Sequence, residues 1–294
     1  MEKTARTAVI LKWSRRVRWT LTAVVLAYIA VCVYFWAIQR SKIYLPSADI
    51  QTTPDRLGMK YEQFTIPSGS AKARGELYAW WIPAAVSAAP TLLYLHGHKH
   101  NISHLIEHTQ RLHDAGYNLL LVDYRGYGKS KGVGPSETTM YEDAESAWNY
   151  LMYQRRQDPQ RTFIYGHSMG GAVGIELALR HPEAAGLIVE SAFTSMREMA
   201  EAEYPWLPVD TLLNQRFDSL GKVGRLKVPV LFIHGTWDKR TPFRMSQQLY
   251  EQAAVPKEIK LIEGGEHTNS SSVGLLEYRA AFYDFTRRHA AQMR

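Results

Sequence analysis

The chain has 294 residues, 46% of them hydrophobic and 21% charged, with a formal net charge of +7. That length and apolar share allow a sizeable core in one large domain or two small ones. The excess charge is local: residues 1–42 carry eight basic side chains against Glu2 alone, so the rest nets to zero, no basic stripe with interleaved aromatics is present, and a nucleic-acid partner is excluded.

Residues 1–18 form a basic tail. Residues 19–39, from Trp19 to Gln39, hold no charge. At 1.5 Å rise, such a run covers a bilayer core of roughly 30 Å. Trp19 and Trp36 sit near its ends, where indole rings favour the interface. Six basic residues precede the run and two follow it. The positive-inside rule then predicts a single-pass membrane protein with a cytoplasmic N-terminus and its large domain on the non-cytoplasmic side. A C-terminal reporter active only outside the cytoplasm tests that orientation, and a silent reporter overturns it. A cleaved signal peptide is the rival reading. It needs a shorter apolar core and a small-x-small site, whereas Tyr34, Phe35 and Trp36 crowd the end of this one. Cys32 is the only cysteine, which excludes an intrachain disulfide.

Residues 40–58, with Pro46 and Pro54, read as a polar linker to a domain over 59–294. Strands are predicted at 61–66, 76–82, 91–95, 118–122, 162–165, 186–190, 229–233 and 258–262. Helices are predicted at 102–115, 137–154, 169–180, 243–254 and 272–289. The later strands are short and nearly all apolar, as strands covered on both faces are. Their alternation with helices predicts a mostly parallel sheet of βαβ units. The first two lie close enough to pair as an edge hairpin. Residues 195–227 break the rhythm. They read either as a small cap whose Met196, Met199, Tyr204 and Trp206 line an acyl pocket, or as one crossover helix with a Pro-rich turn.

The segment Gly166-His167-Ser168-Met169-Gly170 follows one predicted strand and opens a helix, the setting of a nucleophile elbow. Glycines flank the serine because a Cβ there meets the adjoining strand and helix. A serine hydroxyl needs a base, and the base needs an acid to fix its tautomer. Asp238 and His267 follow in the expected order, each just past the end of a strand, where an open parallel sheet gathers its site. Glu266 is a weaker rival for the acid. The main-chain N–H groups of Met169 and His98 are the candidate oxyanion donors. Asp123 precedes the serine and reads as structural. The run of His96, His98, His100, His104 and His108 raises a zinc-site alternative. No H-E-x-x-H occurs, and His100 stands where an H-x-H-x-D-H metal site needs its aspartate. Neither a metal nor an organic cofactor is implied.

With these residues placed, residues 60–290 resemble the α/β-hydrolase superfamily. More narrowly, they are similar to membrane-anchored α/β-hydrolase-domain proteins of the serine-aminopeptidase-like group. The segments that carry the resemblance are Leu95-His96-Gly97, Asp123-Tyr124-Arg125-Gly126-Tyr127-Gly128, Gly166-His167-Ser168-Met169-Gly170-Gly171, Glu190-Ser191-Ala192-Phe193-Thr194-Ser195 and His234-Gly235-Thr236-Trp237-Asp238. Relatives often carry an Asn-Ala-Gly-Asn-like run after the His-Gly, where this chain has His98-Lys99-His100-Asn101. The resemblance implies an eight-stranded, mostly parallel sheet flanked by helices and a Ser168-Asp238-His267 triad. The expectation is a membrane-anchored serine hydrolase acting on carboxylic esters or thioesters of a small-molecule or lipid-like acyl substrate. A serine peptidase, or an inactive binding protein on the same fold, are the alternatives.

Overall fold

A computed structural model describes residues 2–70 and 73–290. Among the described residues ten strands follow in chain order: β1 (Leu45–Pro46), β2 (Glu62–Ser68), β3 (Gly75–Ile82), β4 (Thr91–Leu95), β5 (Lys99–His100), β6 (Asn118–Val122), β7 (Thr162–His167), β8 (Gly186–Glu190), β9 (Val230–Gly235) and β10 (Lys257–Ile262). Eight of them form one sheet in the order β10-β9-β8-β7-β4-β6-β3-β2. These are the eight strands expected from sequence. Only the β2–β3 and β3–β6 pairs are antiparallel, so the predicted edge hairpin is present.

The apolar strands are explained by burial on both faces. Leu93, Leu95, Leu120, Ile164 and Val189 face one core, while Leu92, Tyr94, Leu121, Tyr165 and Ile188 face the other. Alternate residues of each strand therefore go to opposite cores. β4 is flanked by β6 on one side and β7 on the other. The chain reverses its direction of travel across the sheet here, opening a crevice at the C-terminal ends of β4 and β7.

The predicted helices recur with three changes, the first being that the one expected at 137–154 runs Glu137–Asn149 and closes as a π-helical turn, Tyr150–Gln154. The segment expected at 102–115 starts as a 3-10 turn, Ile102–Leu105, before the helix Ile106–Asp114. The last one is split into Ser270–Val273 and Leu275–His289 around Gly274, where a Cβ would lie 2.5 Å from Ile262.

The N-terminal helix runs Glu2–Ile43, past the end of the uncharged stretch. Residues 15–43 are long and apolar enough to cross a membrane. The segment expected as a linker is docked. Tyr44 is buried and donates its hydroxyl to Gln215 Oε1 at 2.6 Å. β1 pairs in parallel with β5, and Asn101 Nδ2 donates to the carbonyls of Ser47 and Asp49 at 3.0 and 2.8 Å. Sequence polarity hid this because the contacts are made mostly by backbone, which carries no side-chain pattern.

Residues 195–227 fold as three short helices, Met196–Glu203, Val209–Leu212 and Leu220–Val223. The expected role in an acyl pocket is not what they do. Met196, Tyr204, Leu207 and Leu212 line a small cavity of about 80 Å³ against Phe35 and Ile43 of the N-terminal helix. None of residues 195–227 lines the pocket that holds Ser168.

Candidate active site

The β7 strand delivers Ser168 on a turn that only a tightly packed backbone holds. Ser168 has φ +55° and ψ −120°, a conformation that costs a non-glycine residue of order 1–3 kcal/mol. Its neighbours explain the flanking glycines. A Cβ on Gly166 would lie 2.2 Å from the Gly170 carbonyl oxygen, and one on Gly170 would lie 2.0 Å from that of Leu95. The Ser168 N–H donates to the Glu190 carbonyl at 2.8 Å, tying the turn to the end of β8. The helix Met169–Arg180 begins immediately after, so the Met169 N–H has no intrahelical acceptor.

The three side chains singled out in the sequence meet here. His267 Nε2 lies 3.0 Å from Ser168 Oγ, and His267 Nδ1 lies 2.7 Å from Asp238 Oδ2. Asp238 Oδ1 accepts the backbone N–H groups of Arg240 and Thr241, both at 2.9 Å. Its Oδ2 also accepts the Thr241 hydroxyl at 2.8 Å and faces His234 Nε2 at 3.1 Å. Burial alone would raise the Asp238 carboxyl. Hydrogen bonds from His234 and His267, the charge of His267 and the Thr241 amide outweigh it, holding the group well below the usual carboxylate range. An ionised Asp238 fixes the proton of His267 on Nδ1 and leaves Nε2 free to accept from the serine.

Several contributors were not visible in the sequence. Buried His234 sits between Ser246 Oγ at 2.6 Å on Nδ1 and the Thr241 carbonyl at 2.8 Å on Nε2. With two acceptors facing it, Nε2 carries the proton and donates toward Asp238. His167 Nε2 lies 2.8 Å from the His267 carbonyl and fixes the base loop to the elbow. Burial, then the charge of His267, depress the His167 imidazole to about 4, so it stays neutral there. Beneath the site, buried Glu190 accepts the phenols of Tyr165 and Tyr278 at 2.5 and 2.7 Å. Burial opposes its charge, and His108, His167 and those phenols overcome that opposition.

The histidines of the 96–108 run are dispersed. His96 is buried against Tyr124 and Tyr127. His108 bridges Tyr94 and Tyr278 at 3.2 and 3.1 Å. His100 and His104 stack at 4.3 Å. Among the described residues no three His, Cys, Asp or Glu side chains converge on a metal position. Asp123 takes the structural role expected of it, accepting the Ile102 N–H at 2.8 Å. Burial pushes its carboxyl up to about 8 and the facing His96 imidazole down to about 4, so near neutrality the two form mainly an uncharged pair.

The 97–98 loop lies against the elbow: a Cβ on Gly97 would stand 3.3 Å from Ser168 Cβ. His96 Nδ1 donates to the Gly97 carbonyl at 2.7 Å. Because this peptide is trans, holding its C=O on one side sends the His98 N–H to the other. The His98 carbonyl is held in turn by the Leu45 N–H at 2.9 Å and the Tyr127 hydroxyl at 2.8 Å. The docked linker thus helps to fix the candidate oxyanion loop. Replacing His96 by Leu is predicted to lower kcat by about 10²-fold with little change in KM, the signature of a misaimed oxyanion donor. An unchanged kcat on short p-nitrophenyl esters would rule that grip out.

The order of the sheet, the serine on a sharp turn after a central strand, and the histidine and acid on later strand ends define an α/β-hydrolase fold. The chain belongs to the α/β-hydrolase superfamily, and over residues 87–222 it matches the family model described as "Serine aminopeptidase, S33". An uncharacterized protein of Mycobacterium tuberculosis is 33% identical over 81% of this chain and 84% of its own length. The α/β hydrolase domain-containing protein WAV2 of Arabidopsis thaliana is 29% identical over 79% of this chain and 80% of its own. An esterase of Pyrococcus furiosus superposes with a TM-score of 0.68, at 20% identity, over 85% of this chain and 99% of its own. The family is one of hydrolases.

Proposed function

We propose that the chain is a membrane-anchored serine hydrolase that cleaves carboxylic esters or thioesters through an acyl-enzyme. The reading is carried by one continuous relay, from Ser168 Oγ to His267 Nε2 at 3.0 Å and from His267 Nδ1 to Asp238 at 2.7 Å. His267 takes the Ser168 proton as the hydroxyl attacks the acyl carbonyl. The Met169 and His98 N–H groups hold the oxyanion. His267 then protonates the departing alcohol or thiol. Water activated by the same histidine releases the acid. The 19–39 segment anchors the protein, with this chemistry on the non-cytoplasmic side.

The pocket over Ser168, about 590 Å³ and edged by cationic side chains, favours a short acyl group over a long alkyl chain. Lys99, Arg111 and Arg240 line it with several histidines, and among the described residues Glu107 is the only carboxylate in its lining. An aminopeptidase holds a substrate ammonium with a free carboxylate. Glu107 faces Arg111 at 3.4 Å instead, which favours the ester reading over peptidase activity. Purified full-length protein in detergent is expected to hydrolyse p-nitrophenyl acetate and butyrate faster than the decanoate, and alanine p-nitroanilide slowest. Turnover of the anilide above the short esters would overturn this assignment in favour of a peptidase.

A further inference from the structure

The loop Tyr204-Pro205-Trp206-Leu207-Pro208 lies between Glu203 and Asp210 and carries no charge. It follows the helix Met196–Glu203 and returns through Val209–Leu212. It descends along the N-terminal helix. Tyr28 donates its hydroxyl to the Trp206 carbonyl at 2.9 Å. The Phe35 ring meets Trp206 edge-on at 5.6 Å and Tyr204 at 5.2 Å. Closer to the domain, Gln39 Nε2 donates to the Leu212 carbonyl at 3.2 Å and its Oε1 accepts the Asn214 N–H at 2.9 Å. Side-chain and backbone polar groups at this joint are thus spent on each other, not on water.

These contacts set a depth. Phe35 and Tyr28 lie four and eleven residues inside Gln39, or about 6 and 16 Å along a helix rising 1.5 Å per residue. An element touching both stands below the end of the uncharged run. Trp206 is nevertheless 52% exposed, and Pro205 and Pro208 are exposed beside it. The neighbouring helix surface is likewise apolar and open, with Val24, Val25 and Ile29 each half-exposed or more. The loop continues the surface that the anchor presents, and its outer face has no protein partner among the described residues. Interfacial elements bury their apolar face about 5–10 Å into the headgroup and acyl boundary, and Trp and Tyr favour that level.

We propose that the 204–208 loop is a second membrane contact, entering at the headgroup and acyl boundary beside Phe35 and reaching into the acyl region beside Tyr28 of the anchor helix. The occupant of its exposed face is lipid. Docked in this way, the loop and the Gln39 joint fix the tilt of the catalytic domain on the membrane. The proposal rests on reading residues 19–39 as an anchor.

The two can be separated in one experiment. Single cysteines are placed in the full chain in a Cys32→Ser background, by Pro205→Cys, which keeps Trp206, by Val25→Cys within the anchor, and by Tyr153→Cys on the exposed domain surface. Each variant is spin-labelled and reconstituted in phosphatidylcholine–phosphatidylglycerol vesicles. Collision with oxygen, which concentrates in lipid, is compared with collision with a water-soluble nickel chelate. The expected oxygen-to-nickel ratio is several-fold higher at 205 and 25 than at 153. A ratio at 205 matching that at 153, with 25 in lipid, overturns the loop contact and leaves the anchor standing. Protection of 205 from both reagents means a protein contact, such as a second copy, and also overturns it. An aqueous label at 25 overturns the anchor reading and the loop contact together.

Discussion

Ser168→Ala is expected to reduce kcat on short p-nitrophenyl esters by on the order of 10⁶-fold, the scale seen when an activated serine is lost from a working triad. The same variant should no longer react with a fluorophosphonate probe. The geometry makes this a clean subtraction. Ser168 Oγ makes its hydrogen bond to His267 Nε2, and the strained φ of +55° is set by the packing of Gly166 and Gly170 and borne equally by alanine. The folded state therefore loses an exchangeable hydroxyl and little else, and thermal stability should change by less than about 1 kcal/mol. Residual hydrolysis above the uncatalysed rate would come from oxyanion binding alone. Equal labelling of the wild type and the variant would remove Ser168 from the chemistry and with it the serine-hydrolase reading.

How much of this was legible in sequence follows from what kind of signal each feature leaves. Strands such as Leu119-Leu120-Leu121-Val122 announce themselves because both their faces are buried. The elbow is legible because backbone crowding demands glycine at fixed offsets from the serine. Asp238 and His267 are legible because a parallel sheet ends its strands at the same edge. His234 and Thr241 are not, although they hold Asp238 as firmly as His267 does. Their partners are set by the curvature of one loop, and a histidine in a strand has no sequence mark that separates a bonded core position from any other. The docked linker was hidden for a related reason. Tyr44 is one aromatic in a polar stretch, and its partner Gln215 lies 171 positions away. The 195–227 segment was recognised as irregular, but its Met and aromatic side chains fit an acyl pocket and a groove against the N-terminal helix equally well by composition. Only the contacts of Phe35 and Tyr28 decide between them.

Asp238→Asn is expected to lower kcat by about 10⁴-fold while the protein stays folded. The size of the effect follows from which way the new amide must face. Asp238 Oδ1 accepts two backbone N–H groups, from Arg240 and Thr241. An amide nitrogen there would meet two donors, so asparagine keeps its oxygen at that position and turns Nδ2 toward His267. Nδ2 can only donate. His267 Nδ1 must then accept, its proton moves to Nε2, and Nε2 faces Ser168 Oγ as a donor that cannot take the serine proton. The His234 Nε2–H also loses one of its acceptors but keeps the Thr241 carbonyl. The cost to stability is therefore smaller than the cost to catalysis. Steady-state kcat on p-nitrophenyl acetate, read beside Tm, separates the two effects. If the variant retained a tenth of wild-type kcat, Asp238 would not be the group that fixes the base, and the acid of the relay would have to be sought elsewhere around His267.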